Sequence, residues 1–234
     1  MVKHTEPSRK GATIVEGVFF DLWSTLLEEK PGSPFYSAIA NRFQVDLQRF
    51  MEEYKACGED FMLGVIPNLS SRVYTVCQKV NTNISFVAVD EVVNDLVTVH
   101  LDNVVLYPDT IQVLSQLKSV GIKLGIISNA SSWSEMVLDS VGIRPYFDSI
   151  VLSYKYGIVK PTPAIYLQGL MELGLDSQFC CFVGDGGDNE MEGAKNVGLT
   201  TILVDRYSRN VQADYRVNSL SDAVITIITG NHKR

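Results

Sequence analysis

Positive charge is in short supply. Across 234 residues, 20 Lys and Arg face 27 Asp and Glu, for a net charge of −7, and no basic run breaks the pattern. That excludes a nucleic-acid or anionic-membrane surface, since either needs clustered cations to displace counterions. Local capture of an anion by a helix N-terminus or a single lysine stays open. Long apolar runs are missing too. None approaches the ~20 residues of a membrane span, and the polar N-terminus MVKHTEPSRKGAT has no signal-peptide apolar region. The four cysteines, Cys57, Cys77, Cys180 and Cys181, form no CxxC and no Cys/His metal spacing. This excludes a zinc site and predicts buried, reduced thiols in a cytoplasmic protein. His4, His100 and His232 fall outside every motif and receive no catalytic role. There is no internal repeat and no low-complexity tract.

What is present is a globular composition, 46% apolar and 20% charged, which excludes a largely disordered chain. The length suits one sizeable core carrying a smaller insertion. From residue 121 onward, short apolar runs alternate with amphipathic segments. GIKLGIIS, FDSIVLS, FCCFVGD and TTILVD read as strands. SSWSEMVLDSVGI, PAIYLQGLMELGL, NEMEGAKNVGL and SLSDAVITIIT read as helices. Such alternation predicts βαβ units on a parallel sheet, and GVFFDLW (17–23) has the character of a further strand in it. Residues 28–106 differ. SPFYSAIANRF, LQRFMEEYKACGEDFM, LSSRVYTVCQKV and VDEVVNDLVTVHL all show helical spacing with no core-type strand between them. LYPDTIQVLSQLKSVG then returns to the core, with Pro108 and Asp109 suited to a helix start and Gly121 to its end. The expected organisation is an N-terminal tail (1–14), an α/β core with a doubly wound, Rossmann-like parallel sheet (15–27 and 107–234), and an inserted helical domain (28–106).

In doubly wound sheets, ligands bind beyond the carboxyl ends of the strands. Asp21, Ser128 and Asp185 each stand at such an end, so three polar residues should converge on one place.

The stretches FFDLWSTL, IISNAS, KPTPAIY and FVGDGGDNEMEGAKNVGL resemble, in order and spacing, the four motifs of the haloacid dehalogenase (HAD) superfamily of hydrolases. The resemblance runs from about residue 16 through essentially the whole chain. Its helical insertion falls where many members carry a small cap. The resemblance implies that Asp21 is a nucleophile forming a covalent aspartyl intermediate that water hydrolyses. Thr25, Ser128 and Asn129 would hold the oxygens of the transferring group, and Lys160 would neutralise charge between nucleophile and substrate. Asp21, Asp185 and the backbone carbonyl of Trp23 would bind Mg²⁺, a hard cation that prefers oxygen. Gly184, Gly186 and Gly187 would permit close backbone approach. Asn189 and Glu190 stand where the family commonly has Asn-Asp. Glu190 would orient a metal-bound water or pair with Lys160, and Asp188 would cap the next helix.

Trp23 departs from the pattern. Phosphatases of this family usually have Asp-x-Asp, whose second carboxyl protonates the leaving group, help worth roughly 10²–10⁴-fold. An indole offers no such proton. The 2-haloacid dehalogenases carry an aromatic residue here and expel a halide, which needs no proton. They dispense with metal, however, and this chain retains VGDGGDNE. An Asp185 facing Asp21 without a cation would be a costly pair of like charges. Arg42, Arg49 and Arg72 are the candidates for a dehalogenase-type substrate arginine. The leading expectation is a Mg²⁺-dependent phosphatase of a small phosphorylated metabolite. Glu28, Glu29 or a residue of the insertion would donate the proton, or the substrates would have good leaving groups. The alternatives are a 2-haloacid dehalogenase-type hydrolase and a catalytically impaired binding protein. Neither nucleic acid nor membrane is expected as a partner, and the pattern carries no signal for an oligomeric state. Tyr36, Phe61 and Met62 could line a substrate pocket, but at helical spacing they read first as core of the insertion.

Overall fold

The computed structural model describes residues 15–81 and 83–229; the expected tail at 1–14 lies outside them. In chain order the elements are strand β1 (Gly17–Phe20), strand β2 (Leu27–Glu29), and helices α1 (Pro34–Arg42), α2 (Leu47–Ala56), α3 (Gly58–Met62), α4 (Leu69–Val80) and α5 (Phe86–Asp102). Then follow β3 (Val104–Leu106), α6 (Thr110–Ser119), β4 (Lys123–Ser128), α7 (Trp133–Ser140), β5 (Ser149–Leu152), α8 (Ser153–Tyr156) and α9 (Pro163–Leu173). The chain closes through β6 (Cys180–Gly184), α10 (Glu190–Asn196), β7 (Thr200–Val204), β8 (Tyr215–Val217) and α11 (Leu220–Thr229).

Six strands form one sheet in the order β5-β4-β1-β6-β7-β8, all pairs parallel. A parallel sheet needs crossover helices, and these cover both faces, so the central strands are apolar on both sides. Along β1, Val18 and Phe20 join one apolar cluster and Phe19 the other. Along β6, Cys181 and Cys180 divide in the same way, and all four cysteines are buried free thiols. Helices α9 and α10 close one face through Ile165, Tyr166 and Met191. Helices α6, α7 and α11 close the other through Leu114, Val137 and Val224. No helix among the described residues is long and apolar enough to cross a membrane.

Two short strands were not expected at the base of the insertion. β2 pairs antiparallel with β3, Leu27 opposite Leu106 and Glu29 opposite Val104. The ribbon crosses the expected boundary at 27/28, ends at the one at 106/107, and forms a two-stranded stem. The segment 47–62, read as one helix, divides at Cys57 into α2 and α3. Gly58, the weakest helix former of that run, opens the second piece. The edge strand β8, half exposed and three residues long, also carried too little pattern to be read.

The insertion shares the apolar cluster on the α6/α7 face of the sheet, where Phe35, Phe50, Val73 and Val89 join it. Two hydroxyls tie it to the core: Ser132 donates to the Pro67 carbonyl (2.7 Å) and Ser153 to the Met62 carbonyl (2.6 Å). His100 is buried as a slab between Phe35 and Trp133, with ring centroids at 4.2 and 4.3 Å.

Candidate active site

β4, β1 and β6 are adjacent, so their carboxyl ends bring Ser128, Asp21 and Asp185 together. Asp21 is 5% exposed, and its main-chain N–H donates to the Val183 carbonyl, which fixes its place beside β6. Its Oδ1 accepts from Ser128 Oγ at 2.9 Å and from Lys160 Nζ at 2.6 Å.

Lys160 is 4% exposed, in the segment leading into α9. Asn129 locks that segment from both sides: its Oδ1 accepts the Lys160 N–H (2.7 Å) and its Nδ2 donates to the Lys160 carbonyl (3.3 Å). The Lys160 ammonium thus lies between two carboxylates, Asp21 and, at 2.5 Å, Glu190 Oε2. Glu190 opens α10 and is 1% exposed; its Oε1 accepts the Gly186 N–H at 2.8 Å. Gly184 makes room for it, since a Cβ there would stand 2.1 Å from Glu190 Oε1. Gly186 has φ +84°, a left-handed conformation that glycine adopts without strain.

Burial pushes the Asp21 carboxyl above its ordinary value and Asp185 adds to this, while Lys160 and Ser128 pull it back. Glu190 is likewise raised, by burial and by Asp21, against Lys160 and the Gly186 N–H. Burial works against the Lys160 ammonium, but Asp21 and Glu190 outweigh it and hold it charged well above the usual lysine range.

These contacts give a first expectation. Gly184→Ala would drive a methyl into the Glu190 carboxylate, with an overpacking cost of about 1–3 kcal/mol. Displacing Glu190 also unbalances Lys160, so activity should fall at least about tenfold while the thermal midpoint drops. A melting curve and a rate measured on one preparation check both.

Asp185 is buried. Its Oδ1 accepts the Gly187 N–H (3.0 Å) and its Oδ2 accepts from Arg209 Nη2 (2.8 Å). The carboxylate oxygens of Asp21, Asp185 and Glu190 lie within 4.8 Å of one another. A set of buried carboxylate oxygens with no nitrogen or sulfur ligand suits a hard divalent cation. Gly187 and Arg209 engage the two oxygens of Asp185, whereas Asp21 Oδ2 carries only a long contact (3.5 Å) from Thr25 Oγ1. The donor set fits such an ion.

A cavity of about 220 Å³ opens onto these groups. Its lining includes Trp23, Ser24, Ser128, Asn129, Lys160 and Asp185, and no residue of 28–106. A larger cavity of about 460 Å³ lies in the insertion, lined by Glu29, Ser33, Tyr36 and Leu47 among others. It holds a single carboxylate and no counterpart of the Lys160 cluster.

Several sequence expectations need correction here. Asp188 does not cap α10. It adopts φ +52°, and its Oδ2 accepts from Asn129 Nδ2 at 2.8 Å, bracing the Ser128 loop. Asn189 occupies the cap position, also at φ +52°, with no side-chain capping bond. Thr25 is fully buried and does not line the cavity, where Ser24 stands instead. Glu28 and Glu29 also stand outside it, Glu28 accepting from Tyr107 and Glu29 facing Tyr36 and His100. Arg49 donates to the Lys79 carbonyl, and Arg72 lies against Tyr54 and Phe61 within the insertion. Phe61 is core of the insertion, the reading its helical spacing favoured. Trp23 is at the cavity wall, and its Nε1 donates to Ser134 Oγ at 3.1 Å, so its only proton is already engaged. Arg209 was not anticipated; it lies 24 residues beyond Asp185 in a polar loop with no motif.

The fold recurs in solved structures. A HAD phosphatase from Thermococcus onnurineus superposes with a TM-score of 0.69 at 22% identity, over 94% of this chain and 100% of that one. A 2-haloacid dehalogenase from Pseudomonas syringae pv. Tomato gives the same TM-score at 20% identity, over 91% and 99%. Backbone likeness alone therefore does not separate the two chemistries. In sequence the chain is 32% identical over 145 residues to a glyceraldehyde 3-phosphate phosphatase from Methanocaldococcus jannaschii. The match spans 55% of this chain and 60% of that relative's length. A family model for haloacid dehalogenase-like hydrolases matches residues 15–198, which include Asp21, Ser128, Lys160 and Asp185. The chain belongs to the haloacid dehalogenase-like hydrolases.

Proposed function

We propose that this chain is a Mg²⁺-dependent phosphatase acting on a small phosphorylated metabolite through an aspartyl-phosphate at Asp21, with residues 28–106 as its cap. The observation that carries the reading is the buried Asp21 carboxylate, held by Ser128 and Lys160 at the floor of a cavity beside Asp185 and Glu190. The phosphatase relative supports the substrate class. Asp21, Asp185 and the Trp23 carbonyl would hold Mg²⁺, which when bound offsets negative charge on the phosphoryl oxygens.

The chain's own residues account for the rest. Ser128 and Lys160 orient Asp21, and Lys160 favours its ionised, nucleophilic form. An Asp21 oxygen bonds to phosphorus as the phosphorus–leaving-oxygen bond breaks. Water then attacks phosphorus, releasing inorganic phosphate and the free Asp21 carboxylate. Asn129 and Asp188 keep the Lys160 segment against the site through both half-reactions.

No side chain of the usual kind protonates the departing oxygen, because Trp23 fills that position with its N–H on Ser134. The rate should therefore depend steeply on leaving-group pKa. Acyl and aryl phosphates should exceed simple alkyl phosphates by about 10²-fold or more, the size of the missing general-acid contribution. A phosphate-release series with and without Mg²⁺ measures this, and a flat dependence contradicts it. The aromatic residue at 23 also suits halide departure, so 2-chloropropionate belongs in the panel. Halide release that persists in EDTA would replace the phosphatase reading with the dehalogenase one.

A further inference from the structure

We infer that Arg209 competes with the divalent cation for Asp185 and so sets how tightly the site takes metal, an inference that rests on the metal reading proposed above. Asp185 Oδ1 is engaged by the Gly187 N–H, and Oδ2 accepts from Arg209 Nη2 at 2.8 Å. A cation held by these carboxylates would have to share the Asp185 carboxylate with the guanidinium. Two positive groups on one buried carboxylate repel each other in a poorly screened place.

The loop that carries Arg209 is anchored through its main chain, while the side chain is held by Asp185 and by the Tyr207 ring, 5.4 Å from the guanidinium carbon. The Arg209 N–H donates to Asp205 Oδ1 (3.0 Å), and Arg216 grips the Arg209 carbonyl with Nη1 and Nη2, both at 3.1 Å. Arg216 also pairs with Asp205, and Val211 packs on the Gly186 turn. The Arg209 side chain is 41% exposed, so it can turn into water while its main chain stays in place. Arrival of metal therefore displaces one side chain and not a loop. Charge favours the exchange. Counted formally, Asp21, Asp185 and Glu190 against Lys160 leave two negative charges, which a divalent cation cancels and a single guanidinium does not.

The test is calorimetric titration of Mg²⁺ into the full chain and its R209Q variant, with thermal melts confirming that both are folded. R209Q should bind Mg²⁺ about tenfold more tightly, about 1.4 kcal/mol at 25 °C. R209K, which keeps the charge, should stay closer to the wild type than R209Q does. In a D185N background R209Q should change the affinity little, because the contested carboxylate is gone. Equal or weaker Mg²⁺ binding by R209Q overturns this inference alone. Absence of Mg²⁺ binding by both chains overturns it together with the metal reading. Binding by R209Q only would support both.

Discussion

Replacing Asp21 with asparagine is expected to abolish turnover while leaving the fold at least as stable as the wild type. Asparagine matches the shape of aspartate, so Ser128 still finds an oxygen at the tip of β1 and Lys160 keeps Glu190. What is lost is the proposed nucleophile. A carboxamide cannot form the acyl phosphate, and the rate should fall by about 10⁴-fold or more. Stability responds through charge. Burial raises the Asp21 carboxyl in the folded chain, with Asp185 adding to the effect and Lys160 only partly opposing it. A carboxyl raised on folding contributes stability below its unfolded value of about 3.9, and that contribution disappears as pH rises through the folded value. As pH rises above that unfolded value the wild type progressively loses it. The D21N variant should therefore melt at or above the wild-type temperature at neutral pH, and the difference should close as pH falls toward 4. Phosphate release and melting curves across that range read both effects.

Removing the Lys160 ammonium should do the reverse and damage the fold as well as the rate. Lys160→Met preserves the aliphatic stem but leaves Asp21 and Glu190 as two buried carboxylates with no cation between them. Breaking a buried ion pair by deleting one partner costs about 3–5 kcal/mol, and here two partners are orphaned at once. Turnover should drop at least about 10³-fold, because Asp21 loses both its orientation and the charge that keeps it ionised. A second substitution separates the two losses. In K160M/E190Q one orphaned charge is gone, so part of the stability should return while the activity does not. If K160M melts like the wild type, the cluster is not the buried charge network described here.

The architecture was legible where local pattern and burial coincide. β1, β4, β6 and β7 are apolar because helices cover both faces, and the alternation with amphipathic segments identifies the parallel sheet. Asp21, Ser128 and Asp185 could be placed because each is the first polar residue after, or the last residue of, such a strand. Lys160 looked like any surface lysine apart from its motif; its pairing with Glu190 was one of two readings of that glutamate, and the structure adds its burial and the Asn129 lock. The stem of the insertion was invisible, since β2 and β3 are three residues each, far apart in sequence, and Glu28 and Glu29 give β2 a polar look. Arg209 and the Asn129–Asp188 bond escaped for a related reason. They depend on where loops return in space, and positive φ at Asp188 gives no periodic signal. Trp23 was singled out by a missing carboxylate, and its Ser134 bond explains why the indole is no substitute donor.

The most direct measurement is acid-quench trapping. The full chain is mixed with Mg²⁺ and acetyl phosphate or p-nitrophenyl phosphate, quenched in acid at short times, and digested for peptide mass spectrometry. The peptide holding Asp21 should gain the mass of one phosphoryl group, confined to Asp21 and removed by hydroxylamine. The adduct should be absent from D21N. Phosphate release with no phosphorylated Asp21 at any quench time, or with the phosphoryl group on another residue, would contradict the account.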